Sequence, residues 1–103
     1  MSADRDQPSA ATPIPQDHVV FTDLDGVEGV LVDLETKHYF QLNATASLIW
    51  RGLIRNLPVE HIAQEMTAEY DVALDRARVS VAATIGEFAK HRLVTSPRAR
   101  TAP

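Results

Sequence analysis

Between residues 18 and 42, apolar positions alternate with polar ones in three short runs, a period of two that is typical of β-strands. The runs cover residues 18–22, 29–34 and 38–42. An Asp-Gly dipeptide at 25–26 is a strong turn signal between the first two, and residues 35–37 connect the second to the third. This pattern predicts an antiparallel meander in which the first and third strands form the edges of the sheet.

After residue 43 the period changes to that of a helix. Asn43 is a favourable N-cap, because its side chain can accept a hydrogen bond from a first-turn N–H. The apolar spacing that follows predicts a helix over 44–55 with one buried stripe. Pro58 suits the first position of a second helix. The predicted buried stripes are Ala46, Ile49, Trp50, Leu53 and Ile54 in the first helix and Val59, Ile62, Ala63, Met66 and Tyr70 in the second.

A third helix is predicted over about 75–92, with apolar residues on two opposite faces. The core-facing positions are Ala77, Val81, Ile85 and Phe88, and the opposite positions are Val79, Ala82 and Gly86. Glycine within a helix costs about 1 kcal/mol relative to alanine. A small, apolar strip bordered by Arg76 and Arg78 suggests that something packs on it. It is equally plausible that small residues occur at these three positions by chance, because an exposed helix face tolerates them.

Composition places these elements in one domain. The chain has 103 residues, of which 45% are hydrophobic. Residues 1–17 and 95–103 contain proline and few core-forming side chains, so we predict disordered tails around a folded domain at 18–94. The absence of cysteine excludes disulfides and thiolate metal sites.

The net charge and the length of the apolar runs limit the classes of partner that the chain can bind. A net charge of −4 disfavours nucleic acid, because phosphate contacts supply most non-specific affinity. No apolar run reaches membrane-spanning length, and the polar start lacks the hydrophobic segment of a signal peptide. We therefore expect a cytoplasmic protein without a membrane partner.

The run Val19 to Val27 contains Asp23-Leu24-Asp25-Gly26, which resembles the nucleophile motif of haloacid-dehalogenase-type phosphatases. In that family the first aspartate attacks phosphorus and the second acts as general acid and base beside magnesium. The resemblance covers fewer than ten residues, and this chain has no room for the five-stranded parallel sheet. Turn chemistry accounts for the same letters.

No other pattern predicts catalysis. His61 and Glu65 lie one helical turn apart, but two ligands are too few for a metal, and a solvated pair is the better interpretation. The acidic residues of the hairpin are expected on a solvated outer face. They are Asp23, Asp25, Glu28, Asp33 and Glu35. We predict no catalytic residue, no metal site and no cofactor.

Three strands followed by three helices form an α+β, winged-helix-like arrangement: a three-stranded antiparallel meander followed by three helices. Within it, the run from Gly29 to Trp50 resembles the PqqD family of small peptide-chaperone domains, also called precursor-peptide recognition elements. The resemblance extends over nearly all of 18–94. The family often has glycine where this chain has Lys37 and Arg92, and a positive φ there would cost roughly 1 kcal/mol each.

The resemblance implies binding rather than catalysis. Family members hold the leader segment of a ribosomally made precursor peptide as an added strand on the third strand, against the third helix. They present it to a maturation enzyme such as a radical-SAM protein or a leader peptidase. The residues expected to bind peptide are His38, Tyr39, Phe40, Gln41 and Leu42 on the strand and Arg76, Val79, Ala82, Ala83 and Gly86 on the helix. Arg76, Arg78 and Lys90 make the third helix basic, which suits an acidic leader.

Two other functions fit the same pattern. A winged-helix DNA-binding domain would place the third helix in the major groove, although the acidic hairpin opposes it. A structural subunit would use the free edge strand to form a homodimer.

Overall fold

The computed structural model describes residues 12–95, which form five strands and three helices. The strands are β1 (Ile14–Pro15), β2 (Val19–Asp23), β3 (Gly29–Asp33), β4 (His38–Leu42) and β5 (Val94–Thr95). The helices are α1 (Ala44–Ile54), α2 (Val59–Tyr70) and α3 (Leu74–Lys90). The predicted fold class, a three-stranded antiparallel meander followed by three helices, is confirmed.

The sheet has the order β2-β3-β4 with antiparallel pairing throughout. Leu31 lies opposite Phe21 on one side and Phe40 on the other, and it is fully buried. Alternate residues of β3 are buried, which fixes the face that packs on the helices. A one-residue slip would expose Leu31, so the core specifies the register.

Aspartate side chains build the loop between β2 and β3. The Gly26 N–H donates to Asp23 Oδ1 at 2.6 Å, and the Val27 and Glu28 N–H groups donate to Asp25 Oδ1 at 3.0 and 2.8 Å. Gly26 has φ +84°, a backbone conformation that glycine adopts without strain. The N–H groups of Glu28 and Val27 hold the pKa of Asp25 below its usual value. The Asp-x-Asp-Gly residues therefore stabilise the turn between β2 and β3.

The turn between β3 and β4 depends on Asp33, which the sequence placed on a solvated face and which is buried at 3% exposure. Its Oδ1 accepts the Glu35 and Thr36 N–H groups at 2.9 and 3.1 Å, and its carbonyl oxygen accepts the Lys37 N–H at 2.7 Å. Burial opposes ionisation of Asp33, but the Thr36 and Glu35 N–H groups and nearby His18 outweigh it and lower its pKa. The prediction that Asp33 is solvated was wrong, because a polar residue in a strand can face inward when groups of the adjacent turn form hydrogen bonds with its side chain.

The helix ends follow ordinary capping rules. The Asn43 side chain accepts the Ala46 N–H at 2.9 Å, as predicted. Pro58 is the residue before α2 rather than its first helical residue. Ile54, assigned by periodicity to the buried stripe, is 55% exposed because it ends α1.

The core lies between the sheet and the three helices. The Trp50 ring meets Phe88 edge-to-face at 5.2 Å, which joins α1 to α3. Gly52 lets α2 approach closely, because a Cβ there would lie 2.7 Å from Ile62 Cγ1. The buried hydrophobic residues are Leu31, Leu42, Ile49, Trp50, Leu53, Ile62, Ala63, Met66, Ala77, Val81, Phe88, Leu93 and Val94.

A two-stranded sheet joins the two ends of the described chain. β1 pairs antiparallel with β5, and the Gln16 N–H donates to Leu93 O at 3.0 Å. Thr12 is buried, and its hydroxyl donates to Leu57 O at 3.2 Å. Residues 12–17 and 95, predicted as tail, thus lie in the folded part. The tail predictions for 1–11 and 96–103 fall outside the described residues.

Candidate functional site

Within residues 12–95, β4 pairs with β3 on one side and with no strand on the other. An edge strand presents N–H and C=O groups that lack a ladder partner. β4 contains no proline and no Asp, Glu, Lys or Arg. These are the residues with which natural proteins block edge pairing, so β4 is open to another strand.

Side chains of β4 alternate between the two faces of the sheet. Leu42 is buried and Phe40 is half-buried against the core, whereas Tyr39 is 74% exposed on the other face. The Phe40 ring lies 5.1 Å from the His91 ring and 6.4 Å from the His38 ring. Phe40 therefore links the start of β4 to the C-terminal end of α3.

This contact identifies the side of α3 that faces β4. Residues at i−4, i−7, i−8, i−11 and i−15 from His91 share its face of the helix. They are Glu87, Thr84, Ala83, Ser80 and Arg76. Ala83, Glu87 and Arg76 are exposed, while Thr84 and Ser80 are half-buried. The middle of this row, Ser80, Ala83 and Thr84, carries small side chains.

The other side of α3 faces α2 and is joined to it by charge. Arg78 Nε and Nη2 donate to the two carboxylate oxygens of Glu60 at 3.0 and 2.8 Å, and Nη1 donates to Asp75 at 3.1 Å. The hydrogen bonds from Arg78 lower the pKa of Glu60. Arg78 is thus committed to α2 and does not add to the charge available at the open edge, contrary to the sequence-based expectation.

The predicted helix residues separate into three groups. Arg76 and Ala83 share the His91 side, and Ala82 lies one turn after Arg78 on the α2 side. Val79 is 70% exposed, and a Cβ at Gly86 would meet nothing within 4 Å. The sequence missed His91 and Thr84, because the contact that orients α3 joins residues 51 positions apart.

A shallow depression lies at the N-terminal end of α3. It is lined by Ala73, Asp75, Arg76 and Val79 and encloses about 410 Å³. Asp75 occupies the first turn of α3, where a carboxylate is favourable. The depression thus combines one carboxylate and one guanidinium with two apolar side chains.

The remaining chemically interesting pairs have structural partners. His61 Nε2 lies 3.6 Å from Glu65 Oε2, and Arg55 approaches the same oxygen at 3.6 Å. Among residues 12–95, no cluster of three or more His, Cys, Asp or Glu side chains is placed to hold a metal. Over the same residues, none of the helices combines the length and hydropathy needed to cross a membrane.

A sequence comparison now assigns this arrangement to a family. The pattern of PqqD, described as coenzyme PQQ synthesis protein D, matches residues 28–94, which is well over half of the chain. The chain belongs to the PqqD family. No curated protein matches the chain.

Two solved structures resemble this PqqD-family domain. TbiB1 in complex with the TbiA(beta) leader peptide is 31% identical, with a TM-score of 0.73 over 79% of this chain and 93% of TbiB1. Lasso peptide synthetase B1 complexed with the leader peptide is 27% identical, with a TM-score of 0.74 over 82% of this chain and 98% of the synthetase chain. Both relatives were solved with a leader peptide bound. Neither comparison supports the DNA-binding alternative.

Proposed function

We propose that this PqqD-family domain binds the leader segment of a ribosomally made precursor peptide as an added strand on β4, beside α3. The observation that carries the proposal is the open β4 edge next to the small-residue side of α3. Support comes from two relatives of the same fold whose structures contain leader peptides. The domain would hold the peptide while a separate enzyme modifies or cleaves it.

Backbone pairing would supply much of the affinity. An extended peptide that joins a sheet edge gains main-chain hydrogen bonds, and alternate side chains enter pockets on each face. On β4 the proposed pairing residues are His38, Tyr39, Phe40, Gln41 and Leu42. Phe40 faces α3 and Tyr39 the opposite face, so the two sets of peptide side chains would meet different surroundings.

The helix would supply the second wall of the groove. Ala83 and Thr84 share the His91 side of α3 by helical spacing and have little bulk, and Arg76 lies at the far end of that side from His91. Val79, Ala82 and Gly86 remain predictions for peptide contact, and their positions place them further round the helix from β4.

The partner enzyme belongs to the proposal as a class. A radical-SAM protein or a leader peptidase would act on the core region while the leader stays on β4. A homodimer through the same edge would compete with peptide, because one edge accepts one added strand.

The direct test is a titration with the leader peptide of the precursor encoded beside the gene for this chain. Fluorescently labelled leader should bind with saturable anisotropy, and the complex should contain one chain and one peptide by light scattering. A scrambled leader of the same composition is the control. Binding of the scrambled peptide with equal affinity, or of DNA in its place with a steep salt dependence, would contradict the proposal.

A further inference from the structure

Three basic residues are sequence neighbours of the two histidines at one end of the candidate groove. The rings of His38, Phe40 and His91 bring the start of β4 to the end of α3. Lys37 directly precedes His38 in the chain, and Lys90 and Arg92 directly flank His91. We call Lys37, Lys90 and Arg92 the basic end of the groove.

The basic end has acidic neighbours in the turn that contains Lys37, but Asp33 and Glu35 approach His18 instead, at 3.8 and 3.7 Å. Lys37, Lys90 and Arg92 are exposed and form no ion pair with any residue from 12 to 95. The acid on the same face of α3 is Glu87, which lies 3.8 Å from His91. In a chain whose net charge is −4, a free basic cluster stands out. Cations also suit a helix C-terminus, but that accounts for Lys90 and not for Lys37, which lies in the turn before β4.

Two of these residues occupy backbone positions that favour glycine. Lys37 has φ +67° and Arg92 has φ +60°. Arg92 follows the C-cap of α3, where its N–H donates to Ala89 O at 3.0 Å and the Leu93 N–H donates to Phe88 O at 2.9 Å. This is the Schellman arrangement, whose left-handed residue is usually glycine. Non-glycine residues with such a left-handed backbone conformation are concentrated at functional sites.

The two left-handed positions lie in different turns, Lys37 directly before His38 and Arg92 directly after His91, and the rings of these two histidines both border Phe40. Local capping explains neither choice, since glycine serves both turns better. We propose that the basic end binds acidic side chains in the peptide segment that immediately flanks the strand added to β4. This inference rests on the proposed function and specifies the chemistry of the peptide it selects.

The first test replaces each strained cation with glycine. Lys37→Gly and Arg92→Gly should leave the melting temperature equal to or above that of the wild type, because backbone strain is removed. Each should weaken binding of a leader with an acidic flank by about two- to fivefold, the range of single exposed ion pairs. Asn56→Gly is the matched control, since Asn56 holds the same Schellman position after α1 with φ +57°. It should leave binding unchanged.

The second test changes the peptide. Three residues on one side of the paired segment are replaced by glutamates or by lysines, and the same exchange is made on the other side. For wild type, glutamates should improve binding over lysines on the flank beside His38 only, and salt should reduce that preference. The Lys37→Gly/Arg92→Gly double variant should lose the preference. A folding defect would weaken both peptides alike and leave their ratio unchanged.

The negative results of these tests separate a failure of this inference from a failure of the proposed function. Equal affinity of the glutamate and lysine peptides for the wild type, with the unmodified leader still bound, would overturn this inference and leave the proposed function standing. An unchanged glutamate preference in the double variant would also overturn it. Absence of binding by every peptide would overturn the proposed function and this inference together.

Discussion

The two sides of α3 differ in whether another part of the protein covers them. On the α2 side, Arg78 is held by Glu60 and Asp75 through three hydrogen bonds. On the β4 side, His91 at the end of the helix contacts Phe40 of the sheet. Glu87 comes next along that side, small side chains occupy its middle, and Arg76 lies at its other end. One side is occupied by the protein itself and the other is open.

The difference shows why an apolar helix face does not define a site by itself. The sequence pattern marked small residues on α3 without distinguishing the two sides. The neighbours distinguish them, because an ion pair to α2 uses one side while an unpaired strand borders the other. The surface that we propose for peptide binding is the open side of α3 together with the free edge of β4.

The largest expected effect comes from filling the open side. Ala83→Trp places a bulky ring between α3 and β4 and should weaken leader binding about tenfold or more, equivalent to about 1.4 kcal/mol. Ala89→Trp is the matched control, since Ala89 is an exposed alanine of α3 that lies 11 residues after Arg78, on the α2 side. It should change affinity less than twofold in the same anisotropy titration. Equal losses for the two variants would show that the sides do not differ.

A smaller effect on binding is expected from the turn that begins β4. Asp33→Ala removes the acceptor for two turn N–H groups, so it should lower the melting temperature and weaken leader binding a few-fold. Asp33→Asn keeps an acceptor oxygen but loses the charge. Because the folded pKa of Asp33 lies below its ordinary value of 3.8, its ionised form stabilises the fold above that pH, and this contribution is lost as the pH falls through the folded value.

Thermal melts between pH 7 and pH 3 test whether the stabilisation by Asp33 decreases as the pH falls. The gap in melting temperature between wild type and Asp33→Asn should be widest at neutral pH and should narrow as the solution becomes acidic. A gap that widens toward pH 3 would contradict the role given to the carboxylate.

The smallest effect is expected on the α2 side. Arg78→Ala breaks the contact with Glu60, but both side chains are about half exposed, and such pairs contribute little to stability. A slight decrease in melting temperature and no change in leader affinity should result. A loss of affinity comparable with that of Ala83→Trp would mean that the α2 side takes part in binding.

Much of this fold could be predicted from the sequence, because apolar periodicity reports which face of each element is buried. The meander, the three helices and the core positions Ala77, Val81 and Phe88 follow from it. The pairing of β1 with β5 did not, because two-residue strands are too short for any period. Lys37 and Arg92 have the positive φ that the family resemblance suggested for these two positions.

The open edge was also predictable from the order of the strands, whereas the orientation of α3 was not. Its two sides are assigned by contacts between distant residues, Phe40 with His91 and Glu60 with Arg78. Neither pair has a spacing that a sequence pattern reveals. The burial of Asp33 was missed for a related reason, since its partners become visible only once the turn is formed.

Hydrogen exchange measured residue by residue, with and without saturating leader peptide, tests the central claim most directly. Amides of β4 that point away from β3 should exchange rapidly in the free protein and become protected in the complex, while β2, the other edge of the sheet, stays unchanged. Protection confined to β2 and the hairpin at 24–28, with β4 exchanging as before, would contradict the account.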